Sequence, residues 1–578
     1  MKTLTSMFFS IIFFLSTSLS LLAQVRNTDI SSREDEESGD EIIERDIFFY
    51  TRRAGGPEKR IPENAYSNAI QQFLRMPTVQ QLGLRRLPEV SWESLNPNGM
   101  FYAVTNGNYI SGRTNCIAFH PSNANIMYLA AAGGGVWKTT DAGAHWNFLS
   151  EHLTALTSGT VALDPNNPEV VYVGTGEQNY SLDSYAGDGI FKSTDGGSTW
   201  NKVATTSVGQ SFSSIVIDPT NSNVIYAGGA SGTYKSTDDG VTWLNTNGGG
   251  NINALLIDPT NTQVLYAVAG GTTANTIRKT TNGGTSWVTL TSGLPATSMG
   301  RIALAMAPSN SDYLYASITN GSTSGLLGLY RTTNGGTSWT LQNSSTNYLG
   351  QQGWYDNAVT VNPNNPDLVI VGGLDIYSSS NGGTILTKKT VWSTTSPSNM
   401  SHADIHFLKY NGTTLYCGSD GGVYKSSDDA STWSDMNATI STLQYQSADY
   451  DPTDPQKLYG GCQDNNIESS INSGTQWIQR QTGDGGYTIV DFESPNYIYS
   501  QYVNGSLKRS SDYAHTFSEI SPSSSTGGLF YNPYEMSPTD HNIIVYGQGD
   551  VWRTLNATSA SSSSGWDMIA STSTVNGS

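Results

Sequence analysis

The sequence is poor in charged residues and in cysteine. Only 13% of its 578 residues are charged, and 48 acidic side chains against 29 basic ones give a net charge of −19. A nucleic-acid-binding face needs a basic stripe to meet the phosphates, so this balance argues against nucleic acid as a partner. The three cysteines, Cys116, Cys417 and Cys462, form no metal-type cluster. Cys417 and Cys462 stand about one repeat apart, so a disulfide and two buried thiols are both compatible with the sequence.

Long apolar runs are absent after the N-terminus. The stretch from Met7 to Leu22 is mostly apolar, follows the basic Lys2 and precedes the small residue Ala23. This order is typical of a secretory signal peptide over residues 1–23, and an uncleaved membrane anchor is the alternative. Export would place the protein outside the cell or on the outer surface of a Gram-negative-type bacterium. No membrane span would remain after removal of the signal.

Residues 24–89 differ in character from the rest of the chain. They include an acidic stretch from Glu34 to Asp46 and a segment around Ala65 to Arg75 that predicts a short helix. We interpret 24–89 as a leader and connector, because its acidic start lacks the apolar residues of a packed core.

A sustained helical period is missing from residues 90–578. In its place, one phrase recurs every 40 to 54 residues: two Ser or Thr residues, Asp or Asn, usually two glycines, two further residues and usually Trp. We call this phrase the box. Its acidic or amide residues are Asp141, Asp195, Asp238, Asn282, Asn334, Asn381, Asp428, Asn472 and Asp512.

The segments between the boxes predict short strands. Runs of β-branched and aromatic residues alternate with Gly, Asn and Pro turns, which indicates strands A, B and C before each box. The box itself then forms the turn between strands C and D. A period of roughly 40–50 residues is typical of one four-stranded propeller blade. The sequence therefore predicts an all-β propeller of about ten four-stranded blades over 90–578.

The blade topology separates the repeated residues from the irregular ones. In an up-and-down blade, the A–B and C–D turns share one rim, and the B–C loops and the D-to-A crossings share the other. Turn chemistry alone explains the box residues, so a functional site is expected on the B–C rim. The candidate ligand-binding residues there are Arg113, Glu177, Trp354, Tyr355, Asp356, His402, Asp404, His406, Asp420, Gln463, Asp464 and Asp484. Further polar and aromatic residues on this rim are Asp183, Tyr185, Asp188, Arg301, Asp375, Ser419, Gln446 and Asn465.

These candidates permit several chemistries. His402, Asp404 and His406 alternate, so in a strand they would share a face and could ligate a divalent metal, or form a hydrogen-bonded network. Trp354 and Tyr355 could stack on a sugar or pack inside a blade. Carboxylate pairs could perform acid–base hydrolysis. We expect no cofactor.

The repeats resemble the Asp-box (BNR) repeats of sialidases, of xyloglucanase-type glycoside hydrolases and of sortilin/Vps10 propellers. Longer phrases, such as Gly133 to Lys138, Gly174 to Glu177 and Gln463 to Asn465, are similar to those of exported Asp-box proteins of Bacteroidetes-like bacteria. The resemblance implies either one ten-bladed ring of sortilin type or two seven-bladed rings of xyloglucanase type with the second incomplete.

The resemblance to xyloglucanases also implies an acid two residues before a Gly-Gly pair in a B–C turn. Ala132 stands at that point in the first such turn, and Ser419 in a similar turn, where Asp420 is displaced by one residue. Both acids are thus missing from the expected places. The three-arginine cluster of sialidases is not recognisable either.

Two functions therefore remain open. The first is an exported, non-catalytic propeller that binds a polysaccharide or peptide on its B–C rim. The second is a glycoside hydrolase whose acid and base are relocated among Asp356, Asp404, Asp420, Asp464, Asp484 and Glu177. The last residues match a link that precedes a new strand A elsewhere, so we also expect a fragment, with further blades and a sorting module beyond it.

Overall fold

The computed structural model describes residues 48, 68–69, 72, 75–76, 100–101 and 108–571, with gaps at 180–183, 205–207, 247–249, 393–398, 400, 471, 475, 482 and 524–528. The signal peptide and most of the leader lie outside these residues. The described residues 68, 69, 72 and 75 are helical, in agreement with the short helix. No helix in the described part is long and apolar enough to cross a membrane.

The chain divides into two compact units. One comprises Pro62–Gln444 and Thr475–Ile478, and the other Met1–Ile61, Tyr445–Gly474 and Gln479–Ser578. In the larger unit, a short hairpin of β1 (Met100–Phe101) and β2 (Tyr109–Ile110) precedes seven four-stranded antiparallel sheets.

The seven sheets each use four consecutive strands. Sheet 1 is β3 (Thr114–Phe119), β4 (Met127–Ala131), β5 (Gly135–Thr139) and β6 (Asn147–Phe148); sheet 2 is β7 (Ser158–Leu163), β8 (Val171–Thr175), β9 (Ile190–Ser193) and β10 (Asn201–Ala204); sheet 3 is β11 (Phe212–Ile217), β12 (Ile225–Gly229), β13 (Gly232–Ser236) and β14 (Leu244–Asn245). Sheet 4 is β15 (Ile252–Ile257), β16 (Leu265–Ala269), β17 (Thr276–Thr280) and β18 (Val288–Leu290); sheet 5 is β19 (Met299–Ala307), β20 (Asn310–Asn320), β21 (Leu326–Thr332) and β22 (Thr340–Asn343). Sheet 6 is β23 (Ala358–Val361), β24 (Val369–Gly372), β25 (Ile376–Ser379) and β26 (Thr387–Lys388); sheet 7 is β27 (Ile405–Asn411), β28 (Thr414–Ser419), β29 (Gly422–Ser426) and β30 (Ser434–Asp435).

The box residues form the C–D turn in each sheet, as the sequence predicts. In sheet 2, Asp195 Oδ1 accepts hydrogen bonds from the Ser193 hydroxyl and the Thr199 N–H, both at 2.8 Å. The Trp200 indole then donates to the carbonyl of Leu149 in sheet 1 at 2.9 Å. Asn282 takes the place of the carboxylate in sheet 4 with the same geometry. The box therefore makes turns and joins sheets.

A basic residue on the third strand and a tyrosine opposite it on the second strand attach one sheet to the next. We call these two residues the seam pair. In sheet 1, Lys138 Nζ and the Tyr128 hydroxyl both donate to the carbonyl of Gly196, in the box of sheet 2, at 3.0 Å. The ammonium also lies 5.1 Å from the centre of the Tyr128 ring. Equivalent contacts join Tyr172 and Lys192 to Asp239, Tyr226 and Lys235 to Gly283, and Tyr266 and Lys279 to Gly335.

The ring closes after seven sheets. Lys425 of sheet 7 donates to the carbonyl of Ala142, in the box of sheet 1, at 3.2 Å. The Trp146 indole of sheet 1 donates to the carbonyl of Met436 at 3.1 Å, and Ile117 and Val423 share one apolar cluster. A single ten-bladed ring is therefore wrong.

The smaller unit contains three further sheets. Sheet 8 contains β31 (Tyr445–Asp451), β32 (Asp454–Cys462) and β33 (Asn466–Ser470), and β34 (Trp477–Gln479) follows in the chain; sheet 9 is β35 (Gly485–Val490), β36 (Ile498–Tyr502), β37 (Ser506–Ser510) and β38 (Ser518–Glu519); sheet 10 is β39 (Tyr534–Ser537), β40 (Asp540–Gln548), β41 (Asp550–Thr554) and β42 (Asp567–Ala570). The repeat continues here, because Arg509 of sheet 9 donates to the carbonyls of Ala557 and Ala560.

The cysteines of the chain are free thiols. Cys417 and Cys462 are buried, and Cys116 is partly buried. The disulfide alternative for Cys417 and Cys462 is therefore wrong, and the buried-thiol alternative is right.

Ring closure can be tested at Gly112, which precedes β3. A Cβ atom there would lie 2.0 Å from the carbonyl oxygen of Thr442, beyond sheet 7. We expect Gly112→Ala to lower the free energy of unfolding by about 1–3 kcal/mol, as overpacking against fixed backbone does. Chemical denaturation would measure the loss. Gly271→Ala is the matched control, because nothing lies within 4 Å of its added Cβ. Equal effects of the two substitutions would contradict the seven-sheet closure.

Candidate functional site

Polar and charged side chains from four of the seven sheets meet at the B–C rim of the ring. The first strands of neighbouring sheets lie side by side around the axis. Residues at the entrances of these strands and in the B–C turns therefore point to a common region. Arg113 precedes β3, Glu177 follows β8, and Tyr355 precedes β23; His406 lies at the start of β27, and Asp420 lies in the turn between β28 and β29. We call these five residues the rim cluster.

Arg113 is the centre of the rim cluster. Its Nε lies 2.8 Å from Glu177 Oε1, and its Nη1 donates to the Tyr355 hydroxyl at 2.7 Å. The same Nη1 is 4.0 Å from Asp420 Oδ1. Both carboxylates are buried with the guanidinium, because the side chains of Arg113, Glu177 and Asp420 are each 1% exposed. One cation thus lies between two buried anions.

Asp420 also contacts an imidazole and a phenol. Its Oδ1 lies 2.6 Å from His406 Nε2, and its Oδ2 accepts the Tyr355 hydroxyl at 2.7 Å. Burial alone would raise the pKa of Asp420. His406, then Arg113 and the Tyr355 hydroxyl, outweigh burial and lower this pKa to about 2. Asp420 is therefore ionised at neutral pH.

Asp356 has the opposite environment. Its side chain is fully buried, and within the described residues neither carboxyl oxygen has a hydrogen-bond partner. Burial raises the pKa of Asp356 well above its usual value, and the nearby charge of Asp404 raises it further, while Arg301 acts in the other direction. The pKa values of Asp356 and Asp420 are therefore shifted in opposite directions.

Arg301 and three asparagines extend this arrangement. Arg301 donates through Nη2 to Asn179 Oδ1 at 3.0 Å and through Nη1 to the carbonyl of Tyr355. Asn179 in turn donates to Asn115 Oδ1 at 2.7 Å, and Asn357 Nδ2 donates to the carbonyl of Ser317 at 3.1 Å. The sequence analysis included Arg301 but missed the asparagines, although Asn357 directly follows Asp356.

The alternation predicted for His402, Asp404 and His406 is wrong. Strand β27 begins only at Ile405, and Asp404 has a φ of 65°, which breaks the strand pattern. His406 binds Asp420, whereas the ring of His402 lies under Gly421. In the described part of the chain, no group of three or more His, Cys, Asp or Glu residues is arranged to hold a metal ion.

Other predicted residues have local partners. Trp354 is partly buried, with its ring centre 5.5 Å from that of Tyr355. Asp188 forms an ion pair with Lys202, and Asp375 with Lys388. Asp183 lies outside the described residues.

Gln463, Asp464 and Asp484 belong to the smaller unit, where they form a cluster of their own. Asp484 Oδ1 accepts the Asp464 N–H at 2.9 Å and the Gln463 amide at 2.5 Å. The Gln463 carbonyl oxygen accepts the Tyr531 hydroxyl at 3.0 Å. Asp464 and Asp484 are half-buried.

No protein-family model matches the chain. A xyloglucanase of Hypocrea jecorina is 31% identical to it over 169 residues, which cover 26% of this chain and 19% of that protein. A xyloglucanase of Paenibacillus sp is 24% identical over 318 residues, covering 52% of this chain and 27% of that protein. The chain thus spans about a fifth to a quarter of the length of these curated relatives.

Solved structures agree with the propeller fold. The GH74 enzyme of Niastella koreensis superposes with a TM-score of 0.59 at 19% identity, over 80% of this chain and 73% of that one. The GH74 xyloglucanase of Xanthomonas campestris gives 0.61 at 15% identity, over 79% and 74%. The chain is a multi-bladed β-propeller, and part of its sequence is similar to xyloglucanases. The resemblance to sialidase and sortilin repeats stays a prediction.

Removal of the central cation tests the energetics of the rim cluster. We expect Arg113→Met to lower the free energy of unfolding by about 3–5 kcal/mol, because Glu177 and Asp420 would stay buried without it. Adding Glu177→Gln should recover part of this loss in denaturant unfolding. Arg553→Met is the control, since Arg553 and its partner Asp567 are 40% and 69% exposed, and it should cost at most about 1 kcal/mol. If Arg113→Met lowers the free energy of unfolding no more than this control does, Arg113 does not compensate the two buried carboxylates.

The raised pKa of Asp356 predicts a pH-dependent stability. Above the unfolded value of about 3.9, the folded state binds a proton that the unfolded state releases, so this contribution is lost as the pH rises. We expect the urea midpoint of Asp356→Asn, relative to the wild type, to increase from pH 4 to pH 8. Asp195→Asn should show no such trend above pH 5, because the pKa of Asp195 is lowered to about 2 by Thr199 and Ser193. A pH-independent difference for Asp356→Asn would show that Asp356 is ionised in the folded protein.

Proposed function

We propose that the protein acts on a polysaccharide of the xyloglucan type and hydrolyses it at the B–C rim of the seven-bladed ring. The observation that carries this proposal is a pair of neighbouring buried carboxyl groups with opposite environments. Burial and Asp404 raise the pKa of Asp356, whereas His406, Arg113 and Tyr355 lower that of Asp420. Acid–base hydrolysis of a glycosidic bond uses such a division between two carboxyl groups. The sequence similarity to xyloglucanases supports the substrate class.

Asp404 is the carboxylate that we assign to substrate contact. It is partly exposed, whereas Asp356 and Asp420 are buried. Its charge acts on the carboxyl of Asp356 and raises the pKa of that group, so the two carboxyl groups are neighbours in the site. In this proposal Asp356 stores the proton, and Asp404 delivers it to the sugar oxygen or activates water. Asp420, held by His406 and Arg113, positions Tyr355.

Aromatic side chains on this rim support a polysaccharide ligand. Tyr185, in the B–C loop of sheet 2, and Trp392, after sheet 6, are 36% and 43% exposed. Trp354 is partly buried beside the rim cluster. Flat apolar rings with a polar edge suit the faces and hydroxyl groups of sugars. Because xyloglucan is extracellular, we also propose that the protein acts after export.

A second candidate function is binding without hydrolysis, to a polysaccharide or peptide. The observation in its favour is the burial of Glu177 and Asp420, each 1% exposed in the side chain. Both carboxylates lie beside Arg113, and Asp420 also binds His406, so the rim cluster could have a purely structural role. In that case Trp354, Tyr185 and Trp392 alone would provide the ligand surface.

One experiment separates the two functions. Incubation of the protein with xyloglucan, followed by measurement of bound polysaccharide and of new reducing ends, should show both retention and release. We expect Asp404→Asn to reduce release by about 100-fold or more, the usual scale for loss of an acid–base group, with little loss of retention.

The matched control is Asp238→Asn on the box rim. Asn282 and Asn334 already occupy this position in the next two sheets, so this substitution should leave release unchanged. Retention without release would favour the binding function. If the protein neither retains nor cleaves xyloglucan, the proposed polysaccharide is wrong. Full activity in Asp404→Asn would show that the proposed site is wrong. Asp464→Asn would then test the cluster of the smaller unit.

A further inference from the structure

The seam between sheets 6 and 7 differs from the other seams of the ring. In sheet 1 the seam pair consists of Tyr128 and Lys138, which are directly opposite each other on β4 and β5. The equivalent opposite positions of sheet 6 are Ile370 and Ser378 on β24 and β25. Neither residue can supply a cation or a long hydrogen-bond donor to the box of sheet 7.

A cavity opens where the missing lysine would lie. Its volume is about 470 Å³, and it lies between sheet 6 and the box of sheet 7. Leu368, Ser378 and Thr387 line it from sheet 6, and Asp428 and Asp429 line it from sheet 7. At other junctions of the ring a lysine side chain occupies this position. At the junction of sheets 6 and 7 the position is an open cavity.

The acceptor of the missing lysine is present. Asp429 follows the box residue Asp428, as Asp239 follows Asp238 in sheet 3, and Asp239 accepts Lys192 of the preceding sheet. Asp429 Oδ1 accepts the amide of Asn362 at 2.8 Å and the Tyr410 hydroxyl at 2.7 Å. Both donors are neutral, and none of the ion pairs among the described residues includes Asp429.

The remaining charged group at the cavity is Lys389. It is partly buried, and its Nζ lies 3.4 Å from the hydroxyl of Ser431, also in the cavity wall. The ammonium of Lys389 therefore lies beside the Ser431 hydroxyl and forms no ion pair with Asp428 or Asp429 in the described part of the chain.

We propose that this seam binds a primary ammonium group from outside, such as the lysine side chain of a peptide. The ammonium would occupy the place of Lys192 in sheet 2 and meet the carboxylate and carbonyl of Asp429. The alkyl stem would lie along Leu368, as lysine stems do on apolar surface. An ammonium suits this acceptor set because the lysines of the other seam pairs bind one carbonyl and, in sheet 3, one carboxylate in this way. The net charge of −19 favours the approach of a cation.

The probe is the peptide acetyl-Gly-Gly-Lys-Gly-Gly-amide, measured by calorimetric titration into the full chain. We expect saturable binding that is at least tenfold weaker for the same peptide with an Nε-acetylated lysine. Free n-butylamine should compete, which separates recognition of the ammonium from recognition of the peptide backbone. Equal binding of the two peptides, or no competition by butylamine, would overturn the proposal.

Ser378→Lys is the decisive variant, because it restores the basic member of the seam pair. We expect it to abolish peptide binding and to raise the melting temperature. Asp429→Asn is a second variant that keeps an oxygen for Asn362 and Tyr410 but loses the charge, and it should bind at least tenfold more weakly. Lys389→Met serves as a control and should keep the binding. Undiminished binding in both Ser378→Lys and Asp429→Asn would overturn the proposal.

Discussion

The ring depends on one contact that recurs at five of its seven junctions, in which a lysine of one sheet binds the box of the next. Apolar packing between sheets, without the seam pair, would leave the carbonyl groups of the box turns without hydrogen-bond donors. A buried peptide carbonyl without a donor costs free energy. The seam pair satisfies these carbonyls with a charged donor, which gives a stronger bond than a neutral one. Because Lys425 reaches Ala142 in the same way, this contact also fixes the number of sheets at seven.

The rim cluster follows from the same geometry. The box rim carries the repeated contacts between sheets, so the residues of the opposite rim are not required by the repeat. Arg113, Glu177, Tyr355, His406 and Asp420 come from four different sheets and meet near the axis. The outcome is a dense network of buried charged and polar groups, with the raised pKa of Asp356 beside it. Such a network can position a neighbouring group for chemistry, and it can equally seal a channel, so activity rather than geometry separates the two functions.

Much of this fold is predictable from the sequence, because the box is a local signal. Asp195, Ser193 and Thr199 lie within seven residues and complete their turn without distant partners. The rim on which the candidate site lies was predictable too, because the direction of the strands decides which loops share a rim. The pairing of Arg113 with Glu177 was not, because it depends on the positions of two sheets. The positive φ of Asp404 also has no local signal, and it invalidates the alternation on which the metal hypothesis depended. The contact that the lysine before most boxes makes with the next sheet was not predicted. Its position opposite a tyrosine of the neighbouring strand is recognisable in the sequence.

Every sheet of the ring is built from four consecutive strands, and closure therefore joins residues that are far apart in the chain. The Ser111 and Thr442 hydroxyls, 331 positions apart, lie at 2.8 Å. On the ribosome, sheet 1 must wait with an uncovered face until sheet 7 has been synthesised. Long-range contacts of this kind are slow to form and leave surfaces open to aggregation in the meantime. The same proximity makes the junction between residues 111 and 442 a natural place to join the ends of a circularly permuted ring, with new termini in an exposed turn.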